Sequence, residues 1–473
     1  MRVAMTKPLF AWDCLEDSPN LKTIREFLAA VPDGKLLEAL RNWRGHGQDK
    51  YPVHTLWGTL LLTVLLRHPS IEACLADLRR NEALRRLIGI ESEARVPKPW
   101  NISRFQVVLG QEPHLSLLRE MFDTMVQTLG EVVPDLGTHT AGDATGLNAR
   151  RDRRTRLGSQ KNTSDASDVP DALPAPAGGR KEYKDDDGKV TKVVEWFGYK
   201  LHLLVDVRHE VILAYRVSST KRGDNEELPA LVEQAQANLP EGRSPLGSRR
   251  IETLAYDKAA DDTKVHQRLH DARIKPVIQN RALWTGEPER MLPGHDGNSN
   301  IVHDERGTVY CYDKVSDPPV RHPMAYIGHE AARGTLKYRC PAMHEGWPCP
   351  SQNRCNAGKT YGLTVRVKQE IDLRRFPPIP RATKQFERRY KGRTAVERVN
   401  ARVKIFWGAD DGNVTGAARF HAQVGTVMVS NPAGFAVHIG LATLLASAPR
   451  REGTLGKMRL SPIAKALHEK RAG

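Results

Sequence analysis

Four residues near the C-terminal end of the sequence have the types and the spacing of a phosphate-handling site. They are Tyr390, Arg393, Glu397 and Lys404. An α-helix turns by about 100° per residue, so all four side chains fall on one stripe of a helix. Residues 381–404 contain nine lysines or arginines and only two glutamates. A carboxylate among so many cations suits a site that handles both phosphate groups and metal ions. The alternative, a solvated ion pair between Arg393 and Glu397, would stabilise the helix by only about 0.2–0.5 kcal/mol.

Two aspartates are predicted to lie where strands end. Asp143 follows His-Thr-Ala-Gly, and Asp257 follows Leu-Ala-Tyr. Loops at strand ends are where a rigid sheet presents functional side chains, although an aspartate there is also a common cap or turn residue. Asp261 and Asp262 stand close behind Asp257 and are open alternatives for the second acid. The position of Asp257 directly after an apolar strand favours it.

The elements that would position these acids form an alternating pattern. Apolar periodicity predicts strands at 138–143, 199–207, 211–218, 251–256 and 275–279, and helices at 226–237 and 262–272. A turn at residues 208–210 joins two of the strands into a hairpin. Further helices are predicted over 387–410 and 420–448. This order favours an α/β fold, a mixed sheet with flanking helices.

Two segments interrupt the pattern. Residues 150–192 are polar and proline-containing, and they are predicted to be a flexible insertion after the first acid. Residues 281–386 are predicted to be a loop- and β-rich insertion, and they hold four of the six cysteines.

The cysteines of the second insertion could bind a structural zinc ion. Cys340, Cys349 and Cys355 are separated by eight and five residues, with His344 between them and Cys311 upstream. Zinc takes four thiolate or imidazole ligands, which three cysteines plus Cys311 or His344 would supply. The spacing differs from the short cysteine pairs of most zinc sites, so reduced, partly buried thiols are the alternative. Cys14 and Cys74 are isolated, and a structural role is expected for both.

The sequence before the first acid is predicted to be helical. Apolar periodicity predicts helices at 53–66, from 71 onward and at 82–88, followed by a further helix that contains Arg104. Short helices ending in a basic one are compatible with a helix-turn-helix DNA-binding domain and equally with a plain helical bundle. We expect Arg104 to contact DNA under the first interpretation.

The charge balance favours a polyanionic partner. The chain has 72 lysines and arginines against 56 aspartates and glutamates, a formal net charge of +16. Neutralised phosphates release counterions, so such a surplus favours nucleic acid. Residues 420–449 contain no lysine, arginine, aspartate or glutamate, but Pro432 divides them into pieces too short to span a bilayer, and no membrane partner is expected. Few cysteines and no secretory signal predict a reducing, cytoplasmic setting.

The spacing Tyr-x2-Arg-x3-Glu-x6-Lys resembles the helix signature of bacterial insertion-sequence transposases of the DDE class. Residues 198–206, Gly-Tyr-Lys-Leu-His-Leu-Leu-Val-Asp, are similar to the second strand of that family. Residues 143–146 resemble its first-aspartate strand, and residues 51–109 its N-terminal helical domain. The resemblance covers about residues 50–445. The long insertion after Asp143 departs from the pattern.

The resemblance implies an RNase H-like sheet and a transposase that cleaves and joins DNA. Asp143, Asp257 and Glu397 would be the catalytic residues and would hold two Mg²⁺ or Mn²⁺ ions. The residues expected to contact DNA are Tyr390, Arg393, Arg398, Arg402 and Lys404. The partner would be double-stranded DNA, both transposon ends and target, bound by a homodimer or larger assembly at the bacterial nucleoid.

The predicted organisation comprises six segments, and two other functions stay open. The segments are an N-terminal segment (1–50), a helical domain (51–130), the first part of the catalytic domain (138–280), the cysteine-containing insertion (281–386), the last part of the catalytic domain (387–450) and a basic tail (451–473). A catalytically silent DNA-binding protein of the same fold is one alternative. A related nuclease that does not join strands is the other.

Overall fold

The computed structural model describes residues 19–46, 49–133, 135–150, 173–184, 189–239, 251–295, 300–313, 315–411 and 414–431. Cys14, the predicted tail 451–473 and the part of the predicted helix 420–448 beyond residue 431 lie outside these residues.

Seven helices form the described N-terminal part of the chain. Their bounds are α1 (Pro19–Ala30), α2 (Gly34–Arg44), α3 (Val53–Leu65), α4 (Ile71–Arg80), α5 (Glu82–Leu87), α6 (Pro99–Leu109) and α7 (His114–Val132). The predictions for α3, α4 and α5 are confirmed within one residue at each predicted end. Ser70 caps α4 by accepting a hydrogen bond from the Ala73 amide, because helix starts leave backbone amides unpaired.

The helical packing begins before residue 51, where the sequence analysis placed only an N-terminal segment. Both α1 and α2 contact α3, and Phe27, Leu40 and Trp57 are fully buried. The indole of Trp57 donates a 3.0 Å hydrogen bond to the buried carboxylate of Asp33, which precedes α2. The division of the chain into domains stays a prediction.

A six-stranded mixed sheet follows. Its strands are β1 (His139–Asn148), β2 (Ala177–Lys184), β3 (Val190–Asp206), β4 (Ile212–Ser219), β5 (Thr253–Tyr256) and β6 (Lys275–Ile278). Strand β3 pairs antiparallel with β1, β2 and β4, and β5 pairs parallel with both β1 and β6. Strands β1 to β4 are joined by antiparallel pairing, and β5 and β6 run parallel to β1. Together they make the mixed sheet that the resemblance implied, so the predicted α/β fold class is confirmed.

The insertion 150–192 is only partly as predicted. Residues 177–184 and 190–198 form a β-hairpin arm, the ladder between β2 and the first half of β3, so these residues are ordered strands and not a flexible excursion. The ring of Trp196 fixes the base of the arm. A Cβ on Gly146 or Gly179 would lie within 2.5 Å of that ring, so both positions leave room for it. Residues 151–172 and 185–188 lie outside the described residues.

Helices cover both faces of the sheet. Helices α8 (Asp224–Asn238) and α9 (Thr263–Asp271) follow β4 and β5. Asp224 of α8 contacts Lys200 and His202 of β3. The residues of β1 that pair with these two alternate with Asp143 and therefore point to the other side of the sheet. Helix α8 thus lies on the face opposite Asp143. His202 is fully buried, as a structural residue would be.

The helix predicted over residues 387–410 begins and ends earlier in the structure than predicted. It consists of α12 (Lys384–Lys391), a turn at Gly392 and Arg393, α13 (Thr394–Ala401) and a π-helical turn, Arg402–Phe406. Gly408 has a φ of +68°, a left-handed conformation that ends the helix before residue 410. Helix α14 covers residues 417–431. Among the described residues, no helix is both long and apolar enough to cross a bilayer.

The second insertion contains two small antiparallel sheets and two short helices. The first sheet contains β7 (Glu289–Met291), β8 (Ile301–Asp304), β9 (Val309–Tyr312) and β10 (Arg321–Pro323), and the second contains β11 (Ala325–Glu330), β12 (Thr335–Arg339) and β13 (Thr364–Lys368). The helices are α10 (Pro341–Glu345) and α11 (Gln352–Cys355). The two sheets share a small apolar core that is separate from the main one.

Candidate active site

Asp143 lies inside β1, which corrects the prediction that it ends a strand. Strand β1 continues to Asn148 because its second half remains paired with β3, up to the pair Asn148 and Gly198. Its parallel neighbour β5 ends at Tyr256. The carboxylate of Asp143 therefore lies at the step in the sheet where β5 stops and β1 runs on.

Asp143 and Asp257 occupy matching positions on neighbouring strands. The last paired residues of β1 and β5 are Ala141 and Ala255, and each aspartate is the second residue beyond its alanine. Side chains two residues apart on a strand face the same side, so the register directs both carboxylates to one face. One oxygen of Asp257 accepts a 2.8 Å hydrogen bond from the Ala259 amide, which fixes the turn after β5.

Helix α13 brings Glu397 to the same face. Arg393, at the turn before α13, lies 2.5 Å from Glu397 Oε1 through Nη2 and 3.8 Å from Asp143 Oδ1 through Nη1. Asn400, one helical turn after Glu397, donates a 3.1 Å hydrogen bond to Asp143 Oδ2. Arg393 and Asn400 therefore link the helix to the first aspartate. Asn400 was not predicted, although its i+3 spacing from Glu397 places it on a neighbouring part of the helix face.

Burial dominates the electrostatics of Asp143. Its side chain is 16% exposed, and burial raises its pKa to about 6. The cations Arg393 and Lys181 oppose that rise in pKa, and the negative charge of Asp257 adds to it. Lys181 lies on the β-hairpin arm, so a residue predicted to be in a flexible segment acts electrostatically on the site. A carboxylate held in this environment is stabilised in its ionised form by a nearby cation.

Tyr390 lies at the same site. Burial raises the pKa of its phenol, and its electrostatic neighbours include Arg393, Asp257 and Glu397. Its ring stacks on that of Phe386, with ring centres 5.8 Å apart. The structure thus brings Tyr390, Arg393 and Glu397 together with both aspartates.

Lys404 contacts the sheet. Its ammonium donates a 2.8 Å hydrogen bond to the carbonyl of Gly146 on β1 and lies 3.0 Å from Asp410 Oδ2. It lies in the π-helical turn, where the spacing of 3.6 residues per turn no longer holds. In this arrangement Lys404 joins the end of the helix to β1.

Three other basic residues predicted to contact DNA have protein partners on the surface. Arg398 and Arg402 both pair with Glu210, in the turn between β3 and β4. Arg104 is exposed on α6 and lies over the ring of Trp100, 5.0 Å from its centre. Arg104 and Arg398 are exposed, and Arg402 is partly buried.

Asp261 and Asp262, the open alternatives to Asp257, both have structural partners. The carboxylate of Asp261 is fully buried and pairs with His266, Arg374 and Arg381, which tie the cysteine-containing insertion to the sheet. Asp262 caps α9 by accepting a hydrogen bond from the Lys264 amide.

The donor set at this site fits a hard divalent cation. Magnesium and manganese prefer carboxylate oxygens, and the three acids supply them. As arranged, no group of three potential ligand residues in the described ranges stands close enough to hold one ion, and Arg393 lies between Asp143 and Glu397. Glu397 is 49% exposed, so its side chain has room to leave Arg393 and turn towards the aspartates.

The structure also brings four predicted zinc ligands together. Cys311, Cys340, Cys349 and Cys355 line one cavity in the second insertion, and His344 does not. Cys74 lies elsewhere, buried in the N-terminal helices.

Two family models match the sequence. The model described as a transposase DDE domain matches residues 136–430, more than half of the chain and the whole sheet with the site. The model described as a transposase domain (DUF772) matches residues 13–107, which include α1 to most of α6. No curated protein gives a significant match. The chain therefore belongs to the DDE-domain transposases, a family of enzymes that depend on divalent metal ions and act on DNA.

Proposed function

We propose that this transposase cleaves DNA at the ends of its element and joins the freed ends to target DNA, with Asp143, Asp257 and Glu397 as one catalytic group. The observation that carries the proposal is the register of β1 and β5. It puts Asp143 and Asp257 side by side, and Arg393 links Asp143 to Glu397 on the helix above them.

The three carboxylates would hold two Mg²⁺ or Mn²⁺ ions. When bound, such a pair activates the attacking oxygen and stabilises the leaving oxygen of an in-line displacement. Asn400 would keep Asp143 oriented through its 3.1 Å hydrogen bond. Arg393, freed from Glu397, would be available to phosphate oxygens through its two terminal guanidinium nitrogens. Tyr390, half-buried beside Arg393, would add a phenolic hydrogen bond to the same phosphate or stack on a base.

The two reactions exchange one phosphoester bond at a time. In cleavage, a water oxygen bonds to phosphorus, the bond from phosphorus to the 3′-oxygen breaks, and that oxygen takes a proton. In joining, the oxygen of the freed 3′-OH bonds to a target phosphorus and gives up its proton, and the target's own 3′-oxygen leaves and takes a proton. The second reaction replaces one phosphodiester with another and needs no external energy source.

The DNA would lie along the basic side of the site. Arg398, Arg402 and Lys404 continue the helix beyond Glu397, and Arg104 is exposed on α6. Phosphate contacts of this kind position a duplex without reading its sequence. Because two element ends must be brought together, we expect a homodimer or larger assembly on the DNA, acting at the bacterial nucleoid.

The test is a cleavage and joining assay on duplexes that carry the sequences flanking the coding region. With Mg²⁺, the wild-type chain should nick these ends and join them to a second duplex, and Asp143→Asn should do neither while still binding the duplex. Nicking without joining would favour the nuclease alternative. Binding without nicking by the wild-type chain would favour the catalytically silent protein. Cleavage by Asp143→Asn at the wild-type rate would overturn the assignment of the site.

A further inference from the structure

Four cysteines that are far apart in sequence meet in the second insertion. Cys311, Cys340, Cys349 and Cys355 line one cavity, and all four are free thiols. Their side chains therefore meet at one place in the fold. This tetracysteine cluster lies apart from the three carboxylates of the active site.

The tetracysteine cluster lies where the two small sheets meet. Cys311 lies on β9 of the first sheet, and Cys340 directly follows β12 of the second. Cys349 lies in the loop between α10 and α11, and Cys355 ends α11. A group bound by all four sulfurs would join both sheets and the short helices.

A bound group that links the two sheets would stabilise them, because the apolar core that they share is small. The core shared by the two sheets comprises Leu292, Ile301, Val309, Met324, Leu336, Tyr338, Val365, Val367 and Phe376. The two sheets have strands of only three to six residues. Small units with little buried apolar area commonly need a metal or disulfides for stability.

We propose that Cys311, Cys340, Cys349 and Cys355 bind one structural zinc ion that fastens the two sheets of the insertion together. Four thiolates are a complete ligand set for zinc, which is tetrahedral in structural sites. Cys340 already accepts a 3.6 Å contact from the amide of Asn356, the kind of outer hydrogen bond that orients a ligating sulfur. In the described part of the chain, the sulfurs are not yet at the distances of a closed metal site, so ligation requires them to turn inward.

The structure distinguishes between Cys311 and His344, the two candidates for the fourth zinc ligand. His344 lies on α10 between Cys340 and Cys349 in sequence but does not line the cavity, whereas Cys311 does. Zinc binding should therefore require Cys311 and should not require His344.

The experiment measures the metal content of the full chain, purified without chelator from zinc-supplemented cells. The wild-type chain should carry about one zinc per molecule, and Cys349→Ser and Cys311→Ser should lose at least about tenfold in zinc affinity. Cobalt added to the metal-free chain should give the strong absorption of cobalt bound to thiolates. Limited proteolysis should cut residues 289–368 faster once the zinc is removed. None of these measurements depends on DNA cleavage.

Two control variants separate this site from other causes of metal loss. Cys74→Ser changes a buried cysteine of the N-terminal helices, and His344→Asn changes the histidine outside the cavity. Both should keep the zinc of the wild-type chain. The proposal is overturned if the wild-type chain binds neither zinc nor cobalt, if two of the four cysteines form a disulfide in it, or if His344→Asn loses the metal and Cys311→Ser keeps it.

Discussion

The ring of Tyr256 packs against the backbone of Gly142. A Cβ built on Gly142 would lie 2.5 Å from the Tyr256 ring and 3.3 Å from the carbonyl oxygen of Leu203. Gly142 precedes Asp143 and Tyr256 precedes Asp257, so this contact sets the approach of the two strands that carry the carboxylates. The missing side chain at residue 142 is thus part of the geometry of the site.

Gly142→Ala should damage both folding and cleavage. Forcing a methyl group against a fully buried ring should lower the free energy of unfolding by about 1–3 kcal/mol, because the ring has no space to withdraw. Urea unfolding measures that loss, and a cleavage assay on the folded variant should show a lower rate. Gly178→Ala is the matched control, since nothing lies within 4 Å of its Cβ position in β2. Equal effects of the two substitutions would refute this role for Gly142.

Asp257→Asn and Asp261→Asn should separate catalysis from stability. Asp261 is the buried partner of Arg374, Arg381 and His266, so its removal should cost about 3–5 kcal/mol of folding free energy. Asp257 is only partly buried, so Asp257→Asn should unfold near the wild-type urea midpoint and should not cleave DNA. A stable, active Asp257→Asn chain would show that the second acid is elsewhere.

Glu210→Gln should strengthen DNA binding if Arg398 and Arg402 contact phosphates. Both arginines pair with Glu210 in the free protein, and the variant releases them. Each added phosphate contact steepens the log–log salt dependence of binding by about 0.9, so the slope should steepen by up to about 2. The slope is obtained by measuring DNA binding from low to moderate salt concentration.

A matched control for Glu210→Gln is Glu233→Gln. Glu233 also pairs with an exposed arginine, Arg268, but that pair joins α8 to α9, on the face opposite the site. The two substitutions remove the same charge. If both change the salt slope equally, Arg398 and Arg402 have no special part in DNA binding.

The stability of the chain should fall between pH 7 and pH 5 partly because of His421. Burial lowers the pKa of this histidine to about 4, whereas its unfolded value is about 6.5. Between those values the unfolded chain takes up a proton and the folded chain does not, so stability present above pH 6.5 is lost as the pH falls. The contribution at pH 5 is a loss of about 1–2 kcal/mol. Urea unfolding of wild type and His421→Gln at both pH values measures it. A loss in the variant as large as in the wild type would contradict this assignment.

The local pattern of the sequence was enough to predict most of the helices and strands. The helices α3 to α5, the β3–β4 hairpin and α9 follow from apolar spacing and caps such as Ser70, which act within a few residues. The residue types around Glu397 also indicated a common site, and the structure brings Tyr390 of α12, Arg393 of the turn and Glu397 of α13 close to the aspartates.

Other features depend on contacts between distant parts of the chain. The length of β1 beyond Asp143 is fixed by β3, about fifty residues later, and the β-hairpin arm is fixed by Trp196 over two glycines. A polar segment with such partners looks flexible in the sequence alone. Likewise, Arg398 and Arg402 meet Glu210 only because the β3–β4 turn lies beside the helix. None of these contacts leaves a periodic signal.

Single-turnover cleavage by Glu397→Gln and Glu387→Gln tests whether the three carboxylates act as one catalytic group. Both glutamates form an ion pair one helical turn away, with Arg393 and with Lys391, but only the partner of Glu397 also lies near Asp143. We expect Glu397→Gln to reduce the cleavage rate by about a thousandfold or more with DNA binding retained, and Glu387→Gln to cleave like the wild type. Cleavage by Glu397→Gln within about twofold of Glu387→Gln would contradict a catalytic group formed by Asp143, Asp257 and Glu397.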